Sequence, residues 1–281
     1  MINTNGNLMN NEEAAVSVFN RGLAYGDAVF ETIRVINNKL MFWEDHYFRL
    51  MASMRIMRME IPQNFSPDFL EQEIKDLLSA EELQDSPARV KFTVFRQEGG
   101  YYRPVTREVG YFITAEKLEN PFYLLEDSFY EVELFKDHYV NSGLLSTIKS
   151  NNRAINVLGN IFAEENDYHN CLLLNENKSV VEALNGNLFL VKDKQIKTPP
   201  LNDGCLKGIV RSKIIEIVKK LPEYTLVEES ISAFELQKAD EMFITNVVVG
   251  IRPVSKYRKK EYSTEVAKTL LSRLNALARL G

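Results

Sequence analysis

The sequence has 281 residues, 45% of them hydrophobic, with 34 Lys and Arg against 39 Asp and Glu and a net charge of −5. This length and apolar content predict two domains, and the lack of a long basic run argues against nucleic acid as a partner. The longest apolar runs are far shorter than the roughly 20 residues of a membrane-spanning helix, which excludes membrane insertion. Two cysteines and a first segment without an apolar leader predict a cytoplasmic protein.

The first part of the chain mixes strand and helix patterns. Strands are predicted at residues 16–19, 28–36, 90–94 and 109–114, and helices from residue 44 and from residue 67. Asn37-Asn38 is typical of a hairpin turn, and Ser66 is a suitable cap for a helix that begins with Pro67. A polar stretch ahead of Pro121 predicts the connection between a smaller N-terminal domain, 1–117, and a larger C-terminal domain, 118–281.

The first helical pattern of the C-terminal domain follows directly after Lys149, and short strands come after it. Helices are predicted at residues 151–165, from Gly208 and at 264–280, and strands at 171–175, 179–184, 187–191 and 241–249. Three consecutive strands joined by short turns form a meander. The order of elements therefore indicates an α+β fold of two domains.

Six segments occur along the chain in a particular order, and this order is more informative about the protein family than any single segment. They are residues 20–35 (NRGLAYGDAVFETIRV), 46–50 (HYFRL), 149–152 (KSNN), 181–191 (VEALNGNLFLV), 198–211 (TPPLNDGCLKGIVR) and 243–254 (FITNVVVGIRPV). Together they resemble the class IV aminotransferases, the fold-type IV enzymes that use pyridoxal 5'-phosphate (PLP). The resemblance implies the two-domain fold of that family, with a barrel-like sheet in the larger domain, PLP as cofactor and a homodimer.

The resemblance assigns Lys149 as the Schiff-base lysine and Glu182 as the carboxylate that faces the pyridine nitrogen. A lysine that is partly desolvated beside other cations has a lowered pKa, which suits an amine that must condense and carry protons. An anionic carboxylate keeps the ring nitrogen protonated, so the ring can draw off electrons. The residues alone would also fit a surface lysine and a solvent-facing glutamate.

The phosphate of PLP is assigned, again by resemblance, to Arg49 and to the main chain of Gly208, Ile209 and Val210. A loop that becomes a helix at a glycine presents N–H groups and the positive end of the helix dipole to an anion. The guanidinium of Arg49 is a permanently charged, forked donor. His46 precedes Arg49 by one helical turn, and a structural role for it is as reasonable as a catalytic one.

Four further residues take roles from the resemblance. Asn246 and Val247 would bind the cofactor, and Phe30 and Val248 would line the substrate pocket, although Phe30 would equally suit a core. Spacing gives no metal motif among the three histidines, and we expect no metal.

The sequence leaves the reaction open between transamination of an amino acid with a 2-oxo acid and aminodeoxychorismate lyase activity, which releases pyruvate and p-aminobenzoate. Branched-chain and D-amino-acid aminotransferases carry hydroxyl residues where this chain has Val210 and Val247, and this difference favours the lyase. A homologue that binds PLP without catalysis is the third hypothesis. Substrate side chain and stereochemical preference are not readable from the sequence.

Overall fold

The computed structural model describes residues 1–126 and 128–280, and the chain in it divides into two compact units. The first unit comprises Met1–Pro121 together with Ile148–Asn152. The second comprises the described residues from Phe122–Thr147 and from Arg153 onward. Lys149 therefore belongs to the first unit, although the residues on both sides of its short segment belong to the second.

The first unit is a six-stranded antiparallel sheet with two long helices. In chain order its elements are β1 (Ile2–Thr4), β2 (Asn7–Met9), α1 (Arg21–Tyr25), β3 (Ala28–Ile36), β4 (Lys39–Leu40), α2 (Trp43–Ile56), α3 (Pro67–Ala80), β5 (Ala88–Arg96) and β6 (Val109–Lys117). The strand order is β2-β1-β6-β5-β3-β4. Buried side chains of β3 and β5 pack against those of α2 and α3, so one apolar core supports the central strands.

Local sequence explains two boundaries in this unit. Asn37 and Asn38 both have positive φ, at 48° and 58°, and asparagine tolerates this left-handed region in a two-residue hairpin turn. Ser66 accepts a hydrogen bond from the Phe69 N–H at 3.1 Å, and Pro67 follows at the first helical position. Both predictions are confirmed.

The second unit contains an eleven-stranded sheet and four helices among its described residues. Its elements are β7 (Glu131–Val140), α4 (Ala154–Glu165), β8 (Asn170–Asn175), β9 (Ser179–Ala183), β10 (Gly186–Lys192), β11 (Gln195–Thr198), α5 (Ile209–Val218), β12 (Thr225–Glu228), β13 (Ile231–Ser232), α6 (Ala233–Lys238), β14 (Glu241–Asn246), β15 (Gly250–Pro253), β16 (Lys256–Tyr257), β17 (Lys260–Glu261) and α7 (Glu265–Leu280). Strands β8 to β11 form the expected antiparallel meander. The α+β class is confirmed.

Three predicted elements are wrong in part or whole. Residues 16–19 form no strand, because this segment is exposed and pairs with no described strand. Helix α4 begins at Ala154 rather than at residue 151, because the Asn151 N–H is bound to the Ala28 carbonyl at 3.0 Å. Strand β14 ends at Asn246, where the chain turns and pairs back with β15.

The helices in the described part of the chain include none that is both long and apolar enough to cross a membrane.

Candidate active site

Lys149 is attached to the sheet of the first unit by its own main chain. The Phe30 N–H donates to the Lys149 carbonyl at 2.8 Å, and the Asn151 N–H donates to the Ala28 carbonyl at 3.0 Å. These bonds place the lysine beside the start of β3, and its Nζ lies 4.6 Å from the centroid of the Phe30 ring. An ammonium at this distance from a ring face is attracted by the ring quadrupole. Phe30 thus contacts Lys149, while its role toward a substrate stays a prediction.

A second lysine, which the sequence did not single out, lies over the same ring. Lys91 Nζ is 4.9 Å from the Phe30 centroid. Phe30 pairs with Thr93 across β3 and β5, so Lys91, two residues from Thr93, is on the same face of the sheet. Partial burial lowers the pKa of Lys91, the neighbouring Arg89 lowers it further, and Glu116 acts in the opposite direction. Phe30 therefore has two amines beside it.

The carboxylate of Glu31 lies at the centre of a buried polar cluster in the first unit. Arg49 donates from Nε to Oε1 at 2.8 Å and from Nη2 to Oε2 at 2.5 Å. His46 Nδ1 lies 2.6 Å from the same Oε2. His46 is completely buried, and Glu31 is 1% exposed. The helical spacing that places His46 and Arg49 on one face of α2 thus points both toward β3.

The protonation states in this cluster follow from burial and charge. Burial alone would raise the pKa of Glu31, but Arg49 and His46 outweigh it and hold the pKa at about 2. Burial lowers the pKa of His46; Glu31 opposes this change, and Arg49 and Lys149 add to it. At neutral pH the histidine is therefore a neutral imidazole that donates its Nδ1–H to an ionised carboxylate. Its Nε2 is buried and has no hydrogen-bond partner among the described residues.

Glu31 therefore occupies two donors of Arg49, the residue assigned to the phosphate by resemblance. The sequence alone did not indicate a role for this carboxylate, because Glu31 lies in a segment of mostly apolar residues, on a strand 18 residues before Arg49. Its charge within a strand predicted to be buried is the signal that could have indicated a functional or paired carboxylate. Whether Arg49 also binds phosphate stays a prediction.

Glu182 lies in β9 of the second unit, and it is 6% exposed. Its Oε2 accepts a hydrogen bond from the Leu206 N–H at 2.8 Å. Glu182 pairs with Asn187 across the β9–β10 hairpin, so their side chains share one face of the sheet. The carboxylate is thus fixed toward the loop that leads into α5.

Helix α5 begins at Ile209 with Gly208 as its N-cap, as the sequence predicted. No side chain caps this end in the described structure, and the first turn contains no acidic residue. The N–H groups of the first turn have no partner within the helix, and they carry the positive end of its dipole. Ile209 and Val210 are both buried. This end of α5 is therefore suited to an anion.

Asn246 organises the turn between β14 and β15. Its Oδ1 accepts from the N–H groups of Val248 at 3.0 Å and Val249 at 3.1 Å. The Val247 carbonyl accepts from the Tyr123 hydroxyl at 3.1 Å. The turn is therefore fixed through its side-chain and main-chain groups, while the binding roles of Asn246, Val247 and Val248 remain predictions.

Thr245, next to this turn, has a buried hydroxyl with no hydrogen-bond partner in the described part of the chain. Thr245 pairs with Asn187 across β10 and β14, and cross-strand partners present their side chains on the same face. An unsatisfied buried hydroxyl costs about 1–3 kcal/mol, so a ligand acceptor nearby would be stabilising.

The described residues include no group of three or more His, Cys, Asp or Glu side chains that could hold a metal ion.

The chain matches one known protein family over most of its length. The family model of amino-transferase class IV matches residues 28–257, and the chain belongs to that family.

The similar proteins include both aminotransferases and a lyase. A protein of Methanocaldococcus jannaschii, provisionally named a branched-chain-amino-acid aminotransferase, is 30% identical over 250 residues, covering 89% of this chain and 85% of that protein. The solved structure of the Escherichia coli branched-chain amino acid aminotransferase superposes with a TM-score of 0.86 at 25% identity, covering 99% of this chain and 93% of the other. The structure of 4-amino-4-deoxychorismate lyase from Pseudomonas aeruginosa superposes with a TM-score of 0.83 at 25% identity, covering 98% of each.

The residues in each unit have the chemistry that PLP requires. The first unit offers an amine at Lys149, and the second offers a buried carboxylate at Glu182 and an uncapped helix end at Gly208. The space beside Gly208 is filled, since a Cβ there would lie 2.0 Å from Asn187 Oδ1. A residue with a Cβ would therefore collide with Asn187, and only glycine fits at this cap. Taken one by one, the amine suits the aldehyde of PLP, the carboxylate suits its protonated ring nitrogen and the helix end suits its phosphate.

Proposed function

We propose that this protein is a PLP-dependent aminotransferase that exchanges an amino group between an amino acid and a 2-oxo acid. The observation that carries the proposal is in the second unit, where the buried Glu182 carboxylate binds the same loop that ends at the uncapped start of α5. An anion for a ring nitrogen and donors for a phosphate thus come from one continuous piece of structure. Family membership and the names of the similar aminotransferases support the same reaction.

PLP, when bound, supplies an aldehyde that takes up the substrate amine and a ring that withdraws electrons from the substrate Cα. Lys149 would hold that aldehyde and then, as a free amine, move the proton at Cα. Glu182 would keep the ring nitrogen protonated. The N–H groups of Ile209 and Val210, with Arg49, would donate to the phosphate. Phe30, whose ring contacts Lys149, would limit where that amine can move.

Aminodeoxychorismate lyase activity is the second candidate. The observation that favours it is the pair of apolar residues, Val210 and Val247, at positions where the aminotransferases of the family carry hydroxyls. The similarity to the Pseudomonas aeruginosa lyase supports it as well.

A product assay separates the two reactions. The purified protein, loaded with PLP, is given a panel of L- and D-amino acids with 2-oxoglutarate, and in parallel aminodeoxychorismate. We expect the first reaction mixture to form the 2-oxo acids that correspond to the amino acids supplied. Release of pyruvate and p-aminobenzoate from the second, with no oxo acid from the first, would instead establish the lyase. A protein that binds PLP and gives neither set of products would be the non-catalytic homologue.

We also propose that the protein is a homodimer. Helix α4 supports this, because its apolar residues Val157, Leu158 and Ile161 are 57%, 43% and 44% exposed. An apolar helix face of this kind is typical of a protein interface. Light scattering should give about twice the mass of the 32.3 kDa chain, and Val157→Glu should weaken the dimer. A monomer at micromolar concentration would contradict the proposal.

A cytoplasmic location is proposed from the cysteines. Cys171 and Cys205 are both free thiols and both buried, and burial raises the pKa of each to about 12. Free thiols suit a reducing compartment. Cell fractionation that finds the protein outside the cytoplasm would exclude it.

A further inference from the structure

In the second unit, both main-chain polar groups of Leu206 are bound by side chains of one hairpin. The Leu206 N–H donates to Glu182 Oε2 at 2.8 Å. The Leu206 carbonyl accepts from Asn187 Nδ2, also at 2.8 Å. Glu182 and Asn187 are opposite each other in the ladder of β9 and β10, which explains why both reach the same residue. Leu206 is therefore held by two neighbouring side chains of the sheet.

Asn187 is also the residue that sets the path of the chain into α5. The Leu206 carbonyl accepts a second bond from the Gly208 N–H at 2.8 Å, so a tight turn delivers Gly208 to the helix cap. The Oδ1 of Asn187 lies so close to Gly208 that a Cβ there would be 2.0 Å away. Asn187 is 3% exposed, and its amide cannot move away without breaking its bond to Leu206.

We propose that Asn187 is a positioning residue for the phosphate of PLP, acting through the turn from Leu206 to Gly208. Its amide fixes the Leu206 carbonyl, the carbonyl fixes the Gly208 N–H, and the glycine sets the direction of the first N–H groups of α5. Glu182 holds the N–H of the same residue, Leu206, so the group that faces the ring nitrogen and the donors that face the phosphate share one support. This inference rests on the proposed PLP chemistry and adds a residue to it.

The inference is tested by comparing PLP with pyridoxal, which lacks the phosphate. Asn187→Ala removes the amide, and Asn187→Thr removes it while keeping a residue that suits a strand. Dissociation constants of both ligands are measured on the apo-protein by absorbance and fluorescence titration. We expect the Kd for PLP to rise by about tenfold in both variants, because a misdirected N–H of α5 would lose its hydrogen bond to the charged phosphate, and the Kd for pyridoxal to change by less than about threefold.

The matched control is Asn3→Ala in the first unit. Asn3 is also a buried asparagine, 1% exposed, and its Nδ2 also donates to a main-chain carbonyl, that of Glu73 at 3.2 Å. We expect this variant to lose stability without changing the ratio of the two dissociation constants. The ratio thus separates positioning of the phosphate from general loss of structure.

Two outcomes would overturn the inference: an equal rise of both constants in the Asn187 variants, or no rise of either. Failure of both variants to fold would also overturn it, since Asn187 would then serve the fold alone. A wild-type protein that binds neither ligand, or that does not discriminate between them, would contradict the proposed function instead. The two failures are therefore distinguishable in the same titration.

Discussion

Arg49 and Glu31 form a two-bond ion pair inside the first unit, with Nε–Oε1 at 2.8 Å and Nη2–Oε2 at 2.5 Å. Glu31 is 1% exposed, so its charge has little access to water and depends on Arg49 and His46 for compensation. Removing one member of such a pair leaves an unpaired buried charge, which costs more than the pair itself contributes.

Arg49→Ala should therefore destabilise the protein as well as weaken cofactor binding. We expect the unfolding free energy of the apo-protein to fall by about 3–5 kcal/mol, measured by urea denaturation. The double variant Arg49→Ala/Glu31→Gln is the control, because it removes the stranded charge and should recover part of that loss. An Arg49→Ala protein as stable as the wild type would show that Glu31 does not depend on this arginine.

The same cluster predicts how stability depends on pH. The folded pKa of His46 is depressed below its ordinary value of 6.5, so below pH 6.5 the unfolded chain takes up a proton that the folded protein refuses. The unfolding free energy should fall with decreasing pH from about pH 6.5, by at most about 1.4 kcal/mol per unit. Glu31, with its ordinary pKa of 4.5 and a folded pKa of about 2, should add a second decline between those values.

His46→Asn separates these two effects. The asparagine amide keeps a donor near the position of Nδ1 but does not titrate, so the decline that begins near pH 6.5 should disappear and the decline below pH 4.5 should stay. Urea denaturation at half-unit steps from about pH 2 to pH 8 measures both declines. If the variant keeps the upper decline, His46 is not its source.

Borohydride reduction of the PLP-loaded protein should fix the cofactor covalently on Lys149, as peptide mapping by mass spectrometry would show. Lys91 is the competing amine that this test must distinguish from Lys149. Its Nζ lies 4.9 Å from the centroid of the Phe30 ring, and Lys149 Nζ lies 4.6 Å from the same centroid. Lys91→Met should leave the labelling intact, and Lys149→Met should abolish it. Label on Lys91 in the wild type would overturn the assignment.

Glu182→Gln should slow proton removal from the substrate Cα by around 10²-fold, about 3 kcal/mol in the barrier, because the ring loses its negative partner. The glutamine oxygen still accepts from the Leu206 N–H, so cofactor affinity should change far less. Stopped-flow absorbance in a single half-reaction measures this rate.

The control for this prediction is Glu241→Gln. Glu241 is also a buried carboxylate of the second unit that accepts main-chain bonds, from Val266 at 2.9 Å and Ala267 at 3.0 Å. We expect it to affect stability and to leave the rate unchanged. Near-normal rates in Glu182→Gln with PLP bound would exclude Glu182 as the partner of the ring nitrogen.

The sequence predicted best what is encoded locally. Ser66-Pro67 and Asn37-Asn38 mark a helix start and a turn through their own backbone preferences, and Gly208 marks the start of α5 in the same way. The six ordered segments then identified the family, which the family model confirms.

Residues whose importance depends on strand pairing were not predictable. Lys91 is beside Phe30, and Asn187 beside Glu182, only because β3 pairs with β5 and β9 with β10 in particular registers. Periodicity indicates which face a residue occupies but not which residue stands opposite. Residues 16–19 show a different error. Their apolar composition predicts a strand, but their side chains are exposed and the segment forms none.

Because the first unit includes Ile148–Asn152, its structure is complete only when the chain extends beyond these residues. The chain leaves that unit after Pro121 and re-enters it at Ile148, and only then do the Phe30 N–H and the Ala28 carbonyl gain their partners. A nascent polypeptide must therefore grow past its midpoint before the sheet of the first unit is complete. A truncated gene product that stops at Pro121 would contain every strand of that sheet, yet one end of β3 would remain an open edge.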